Sequence, residues 1–282
     1  MGNSRVGRGH PLRTSLGPLL LVLILAVLQG LTEYLPVSSS GHLVLGKEFL
    51  PGGDQLSADA SLEVLLHVGT LLAVLLFYRK RFGRLVAGFF GKGDDVINQR
   101  RLAGQLVLAT MPAMVVGFSI RNHLDGLFGS PYPAAGALLM TGCILWYSKR
   151  LPSEGKSLNQ LSWKGALIIG LSQAFAILPG ISRSGATIVV GLRLGLSAES
   201  AAAFSFLLSI PAIIGASVLK LPELDTSQGL DMATLSLAVG ASFLVGWGAL
   251  GLLVWITKRG KLHVFAPYCW AVGLAVLATS LF

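Results

Sequence analysis

Apolar stretches recur along the 282-residue chain at about 16–35, 62–78, 102–119, 134–148, 164–178, 186–196, 200–219, 233–257 and 264–281. At about 1.5 Å per residue, several are long enough to cross roughly 30 Å of hydrocarbon, while 134–148 and 186–196 fall short. Runs of this kind predict helices buried in lipid, and the chain reads as an all-α polytopic membrane protein forming one domain over 1–282.

The charged links orient the spans. Arg79, Lys80, Arg81, Arg84, Lys92, Arg100 and Arg101 stand together against Asp94 and Asp95, which predicts a cytoplasmic link. Lys149, Arg150, Lys156 and Lys164 mark the same side, as do Lys258, Arg259 and Lys261, whereas Glu223, Asp225 and Asp231 fall outside. Segment 164–199 then begins and ends on one side, although it holds two apolar arms parted by Pro179-Gly180-Ile181-Ser182-Arg183-Ser184-Gly185. It is expected to be re-entrant, and non-helical backbone at that depth must be buried in protein or line a wet cavity.

An internal repeat extends the same reading to the start of the chain. At a constant offset of 144, Gln29 falls on Gln173, Ser38 on Ser182, Ser40 on Ser184 and Gly41 on Gly185. Segment 16–43 is therefore expected to be a second re-entrant hairpin, separated from the first by three spans. An odd number of crossings inverts the second half, giving an inverted-topology repeat (16–148 and 164–282) with six transmembrane helices and two re-entrant helical hairpins. This arrangement puts the N-terminus outside, and Arg5, Arg8 and Arg13 run against it; a simple span at 16–35 leaves the later topology unchanged. No cleaved signal is expected, because Gln29-Gly30-Leu31-Thr32-Glu33 stands where a small-residue cleavage site would be.

Composition narrows the function classes. Only 12% of residues are charged and 53% are hydrophobic, about half the charge content of a soluble domain, which excludes an ordinary soluble enzyme. The net charge of +9 lies mostly in the links, so it orients spans and implies a bilayer as partner, with no nucleic acid. Cys143 and Cys269 sit in apolar runs and offer neither a disulfide framework nor a thiolate metal site.

With so few charges, an ionisable group inside an apolar segment is conspicuous. Glu33 is such a group, costly unless it faces a partner or cavity, and Gln29 shares its helix face. Pro36-Val37-Ser38-Ser39-Ser40-Gly41-His42 follows. The turn reads either as a helix cap or, with Glu33 and His42, as a hydroxyl nucleophile with a base and an acidic partner. Arg183, between Ser182 and Ser184 just ahead of a helix, joins a guanidinium fork to hydroxyls and free N–H groups, a combination that binds anions. A salt bridge from Arg183 to Glu33, tying the hairpins together, is the plainer and compatible reading. Glu63 and His67, four residues apart, read as support for the site or as ordinary helix residues. His10, His123, His263 and the tryptophans at 146, 163, 247, 255 and 270 suit the membrane interface.

At these residues the chain resembles a known family. Gln29-Gly-Leu-Thr-Glu33-Tyr-Leu-Pro-Val-Ser-Ser-Ser-Gly-His42 and Pro179-Gly-Ile-Ser-Arg-Ser-Gly-Ala-Thr187 look like the two motifs of the bacterial undecaprenyl-diphosphate phosphatases of the bacitracin-resistance type. The resemblance covers essentially the whole chain. It implies removal of one phosphate from undecaprenyl pyrophosphate, which recycles the lipid carrier of peptidoglycan synthesis. It further implies a divalent cation (Mg2+ or Ca2+), a place in the bacterial cytoplasmic (inner) membrane with the site on the outer, periplasmic side, and a homodimer. Matched position by position, Glu33, Ser39, His42 and Arg183 are the expected catalytic residues, and Glu33 is the expected cation ligand. Gln29, Ser38, Ser40, Ser182, Ser184 and Thr187 are expected to bind substrate. Ser39 is the expected nucleophile with His42 as its base. Gln29 departs from the glutamate that many members carry, and an amide cannot take a proton. A polyprenyl-phosphate transporter is the alternative suggested by the repeat design.

Overall fold

A computed structural model describes residues 17–50, 60–93, 95–120, 129–220 and 231–281. Arg5, Arg8, Arg13, Asp94, Glu223 and Asp225, used above to orient the chain, and His10 and His123, assigned above to the membrane interface, lie outside them. The described residues form helices α1 (Pro18–Tyr34), α2 (Ser39–Phe49), α3 (Ala60–Phe77), α4 (Arg79–Phe89), α5 (Val96–Ile120), α6 (Pro131–Tyr147), α7 (Trp163–Phe175), α8 (Arg183–Arg193), α9 (Ala198–Lys220), α10 (Met232–Lys258) and α11 (Ala266–Ala278). Three of these, Val96–Ile120, Ala198–Val218 and Met232–Lys258, are long and apolar enough to cross a membrane alone. A fourth crossing arises if Leu62–Phe77 and Arg79–Phe89, bent by 82°, count as one span. The protein is an all-α polytopic membrane protein.

Two helix pairs are broken where the sequence predicts breaks. Pro36 holds Leu35 in an extended conformation (φ −58°, ψ 143°) and ends α1. After α7 the chain turns through Pro179 and Gly180, whose φ of 96° suits glycine; a Cβ there would lie 2.1 Å from the Ala134 carbonyl oxygen. The second helices begin at Ser39 and Arg183, keeping the spacing that relates their sequences. Their caps match too: Ser38 Oγ accepts from the Gly41 N–H at 3.3 Å, and Ser182 Oγ from the Gly185 N–H at 3.1 Å.

Packing interlocks the two halves. α1 lies along α10 and α7 along α5, so the first arm of each broken pair rests on a long helix of the other half. In lipid, helices associate through close packing of small residues. A Cβ on Gly30 would come within 2.9 Å of the Ser242 carbonyl oxygen, and one on Gly170 within 2.4 Å of the Ala109 carbonyl oxygen. Tyr34, fully buried, donates its hydroxyl to the Thr70 carbonyl and packs edge-on to Phe206, fixing the end of α1 against α3 and α9. This contact positions Glu33, the preceding residue. The fold differs from the sequence reading in the basic link at Arg79–Arg101, which holds a defined amphipathic helix, α4, where the charges marked only a connecting link.

Candidate active site

The breaks of the two helix pairs meet. Ser38 is the only non-glycine residue with positive φ (69°) among the described residues, a conformation that costs on the order of 1–3 kcal/mol. What holds it there is visible in its partners. Its hydroxyl oxygen accepts from the Gly180 N–H of the opposite turn at 3.1 Å as well as from Gly41. A Cβ on Gly41 would lie 2.9 Å from the Gly180 Cα, so only paired glycines let the turns come this close. Thr141 of α6 backs the second turn, donating to the Gly180 carbonyl at 2.7 Å and accepting from the Ser182 N–H at 3.0 Å.

Glu33 stands at the centre, with its side chain 6% exposed. Oε1 pairs with Nη2 of Arg183, the first residue of α8. Oε2 accepts from Ser39 Oγ at 2.7 Å and from Gln29 Nε2 at 3.1 Å, and it faces His67 Nε2 at 3.7 Å. His67 Nδ1 donates to the Glu63 carbonyl at 2.8 Å, which orients the ring and makes the Nε2 contact a charge pair when the imidazole is protonated. Both hydroxyl and guanidinium sit at helix N-termini, where unsatisfied N–H groups favour an anion. Nη1 of Arg183 is buried without a partner among the described residues, leaving one arm of the fork to donate.

Sequence spacing pairs His42 with Ser39, but its ring nitrogens are engaged elsewhere. Nδ1 lies 2.8 Å from the Ser38 carbonyl and must donate to it, so Nε2 is the acceptor of the Tyr268 hydroxyl at 2.8 Å. The two rings are stacked, 5.6 Å apart and 5° from parallel. His42 thus steadies the carbonyl of the turn that carries Ser39, and Ser39 itself is bonded to Glu33. Tyr268, from α11, was not singled out in sequence because 226 residues separate it from His42 and no local pattern marks it. Tyr268→Phe keeps the stack and removes one donor, leaving Nε2 unsatisfied at a cost of about 1–3 kcal/mol. We expect kcat to fall about tenfold with KM little changed; steady-state kinetics equal to the parent would show that the hydroxyl does not hold the turn.

The remaining candidates divide. Ser38, Ser40, Ser182 and Ser184 gather at the turns, with Ser38 Oγ 3.3 Å from Ser40 Oγ and Ser182 Oγ 3.2 Å from Ser184 Oγ. Thr187 instead points away from the turn, bonded to the Arg183 carbonyl at 2.8 Å and to Ser205 Oγ at 2.7 Å, which locks α8 to α9. Gln29 turns its amide nitrogen to Glu33 and leaves Oε1 buried without a partner among the described residues. Among the described residues no group of three or more His, Cys, Asp or Glu could hold a metal ion. The donor set of one carboxylate, one amide oxygen and one hydroxyl fits a hard cation that takes most of its ligands from phosphate oxygens.

The family model for bacitracin resistance protein BacA matches residues 22–275. An undecaprenyl-diphosphatase of Syntrophotalea carbinolica is 40% identical over 92% of this chain and 97% of its own length. One of Desulforapulum autotrophicum is 42% identical over 89% and 94%, and one of Rhodopirellula baltica 39% over 93% and 98%.

Proposed function

The chain belongs to the bacitracin resistance protein BacA family, and from that premise we propose that it hydrolyses undecaprenyl diphosphate to undecaprenyl phosphate and inorganic phosphate, with Ser39 as nucleophile. The observation that carries the reading is the relay from Ser39 Oγ through the Glu33 carboxylate to the Arg183 guanidinium. Arg183 Nη1, the hydroxyls of Ser182 and Ser184 and the N–H groups opening α2 and α8 receive the diphosphate. Ser39 Oγ attacks the terminal phosphorus as its proton passes to Glu33, and the bond to the bridging oxygen breaks, releasing undecaprenyl phosphate. Water then attacks the phosphoserine, and the serine proton returns as inorganic phosphate leaves. Charge on the transferring phosphoryl group is stabilised by groups fixed before the reaction, which is where most of the rate comes from.

A divalent cation, Mg2+ or Ca2+, would be held by Glu33, Gln29 Oε1 and the diphosphate oxygens, and it offsets phosphate charge when bound. His42 and Tyr268 position the turn that carries Ser39. The matched caps at Ser38 and Ser182 support an inverted repeat over 16–148 and 164–282, with α1/α2 and α7/α8 as re-entrant hairpins and α3, α5, α6, α9, α10 and α11 as six crossings. The basic links support placing Arg79–Arg101 on the cytoplasmic side, and membership of the family supports a bacterial inner-membrane location with the site open to the outer side. Purified protein in detergent should release inorganic phosphate from farnesyl or undecaprenyl diphosphate when a divalent cation is added. Protein that binds the lipid but releases no phosphate would contradict the hydrolytic reading.

A further inference from the structure

α4 is a helix with two opposed faces. Phe82, Val86 and Phe89 line one side and the exposed Lys80 and Arg84 the other, the division expected of a helix lying at a membrane surface. The 82° bend between α3 and α4 turns it from the direction of a span into the plane of the bilayer. Leu85 and Gly88 are buried, Gly88 so tightly that a Cβ would lie 2.3 Å from the Gln99 Cβ, which clamps α4 to α5. Phe89 stays 61% exposed and Phe90 71% exposed.

Under the end of α4 is a cavity of 360 Å³ lined by Phe89, Arg100, Ala103, Gly104 and Val107. Its wall is apolar but for one guanidinium. Gly104 lets the Trp163 ring close one side of the notch; a Cβ there would come within 2.7 Å of that ring. No ion pair to Lys80, Arg84 or Arg100 occurs among the described residues. None of the lining residues belongs to the helices that carry Glu33, Ser39 or Arg183.

We propose that this notch is a binding site for an anionic phospholipid of the leaflet that faces the basic links. The phosphate sits on Arg100, with Arg84 and Lys80 adding to the field, and one acyl chain runs over Ala103, Gly104 and Val107 beneath Phe89. A free phosphate has no use for the apolar wall, and a zwitterionic lipid gains less from the cluster of cations than an anionic one does. Lipid in the notch would brace the angle between α3 and α4 and so the seat of α3, which carries His67 and the Thr70 carbonyl.

The test is native mass spectrometry of the full-length protein from detergent, titrated with phosphatidylglycerol, phosphatidylcholine or inorganic phosphate. Phosphatidylglycerol should be retained in preference to phosphatidylcholine. R100Q should weaken that retention at least about fivefold, and V107W, which fills the notch from an exposed position, should also weaken it. Both variants should still release phosphate from farnesyl diphosphate, which keeps this outcome separate from failure of the catalytic reading. Equal retention of the two lipids, parent-like binding by both variants, or displacement of phosphatidylglycerol by inorganic phosphate would each overturn the proposal.

Discussion

Arg183→Ala is expected to lower phosphate release at least about a thousandfold, because it removes two contributions at once. The first acts on the reaction: a preorganised donor aimed at developing charge contributes about 10²–10³ in rate, and here that donor carries a full positive charge. The second acts on the protein. Glu33 is 6% exposed, and without its guanidinium partner it becomes a carboxylate buried beside apolar helix, a loss of about 3–5 kcal/mol. The two effects separate experimentally. Glu33→Gln combined with Arg183→Ala should recover much of the lost thermal stability, since no unpaired charge remains, while phosphate release stays undetectable. Arg183→Lys keeps a charge but loses the planar fork whose separate arms reach Glu33 Oε1 and a phosphate oxygen in fixed directions; its rate should fall between parent and alanine variant. Phosphate release at saturating farnesyl diphosphate, with thermal unfolding run in parallel, decides the matter. A rate for Arg183→Ala within tenfold of the parent would mean that the diphosphate is held elsewhere.

The features legible in the sequence are those whose physical cost is local. Lipid excludes charge, so apolar runs marked the helices and the scarcity of charge made Glu33 and Arg183 stand out. Proline and glycine punctuated the runs where α1 and α7 end. Their pairing across the molecule also followed from sequence, because a carboxylate and a guanidinium at the breaks of two apolar segments each lower the other's cost. What stayed hidden depends on direction in space. Ser39 and His42 are three residues apart, and spacing alone allows serine and imidazole to meet. The left-handed turn at Ser38 instead sends the Ser39 hydroxyl back to Glu33 and the His42 ring across to α11. Tyr268 and Thr141 join the site only through tertiary packing, from helices whose sequences carry no polar anomaly at those positions. α4 was hidden for a different reason: its cations satisfied the topology argument, and its apolar positions are too few to register as a segment.

Ser39→Ala is expected to reduce phosphate release by a further large factor, at least about 10³, with little change in stability. The serine is partly exposed, so its loss opens no sealed cavity, and Glu33 keeps Arg183 and Gln29 as partners. The argument for Ser39 over its neighbours is one of available acceptors. A hydroxyl attacks only as its proton leaves, and among the three serines of the turn Ser39 is bonded to a carboxylate, at 2.7 Å. Ser38 Oγ is already accepting two backbone N–H groups and lies near Ser40. His42 is less suited to attack, since one nitrogen carries the proton given to the Ser38 carbonyl and the other is covered by Tyr268. A covalent phosphoserine makes a second, independent readout. Rapid acid quench with substrate labelled on the terminal phosphate should trap label on the peptide containing Ser39 in the parent and none in Ser39→Ala. Glu33→Gln should also trap none, because the amide cannot take the serine proton. If Ser39→Ala instead retains a tenth or more of the parental rate and no label is trapped from either protein, attack is by water, with Glu33 drawing the proton directly from it.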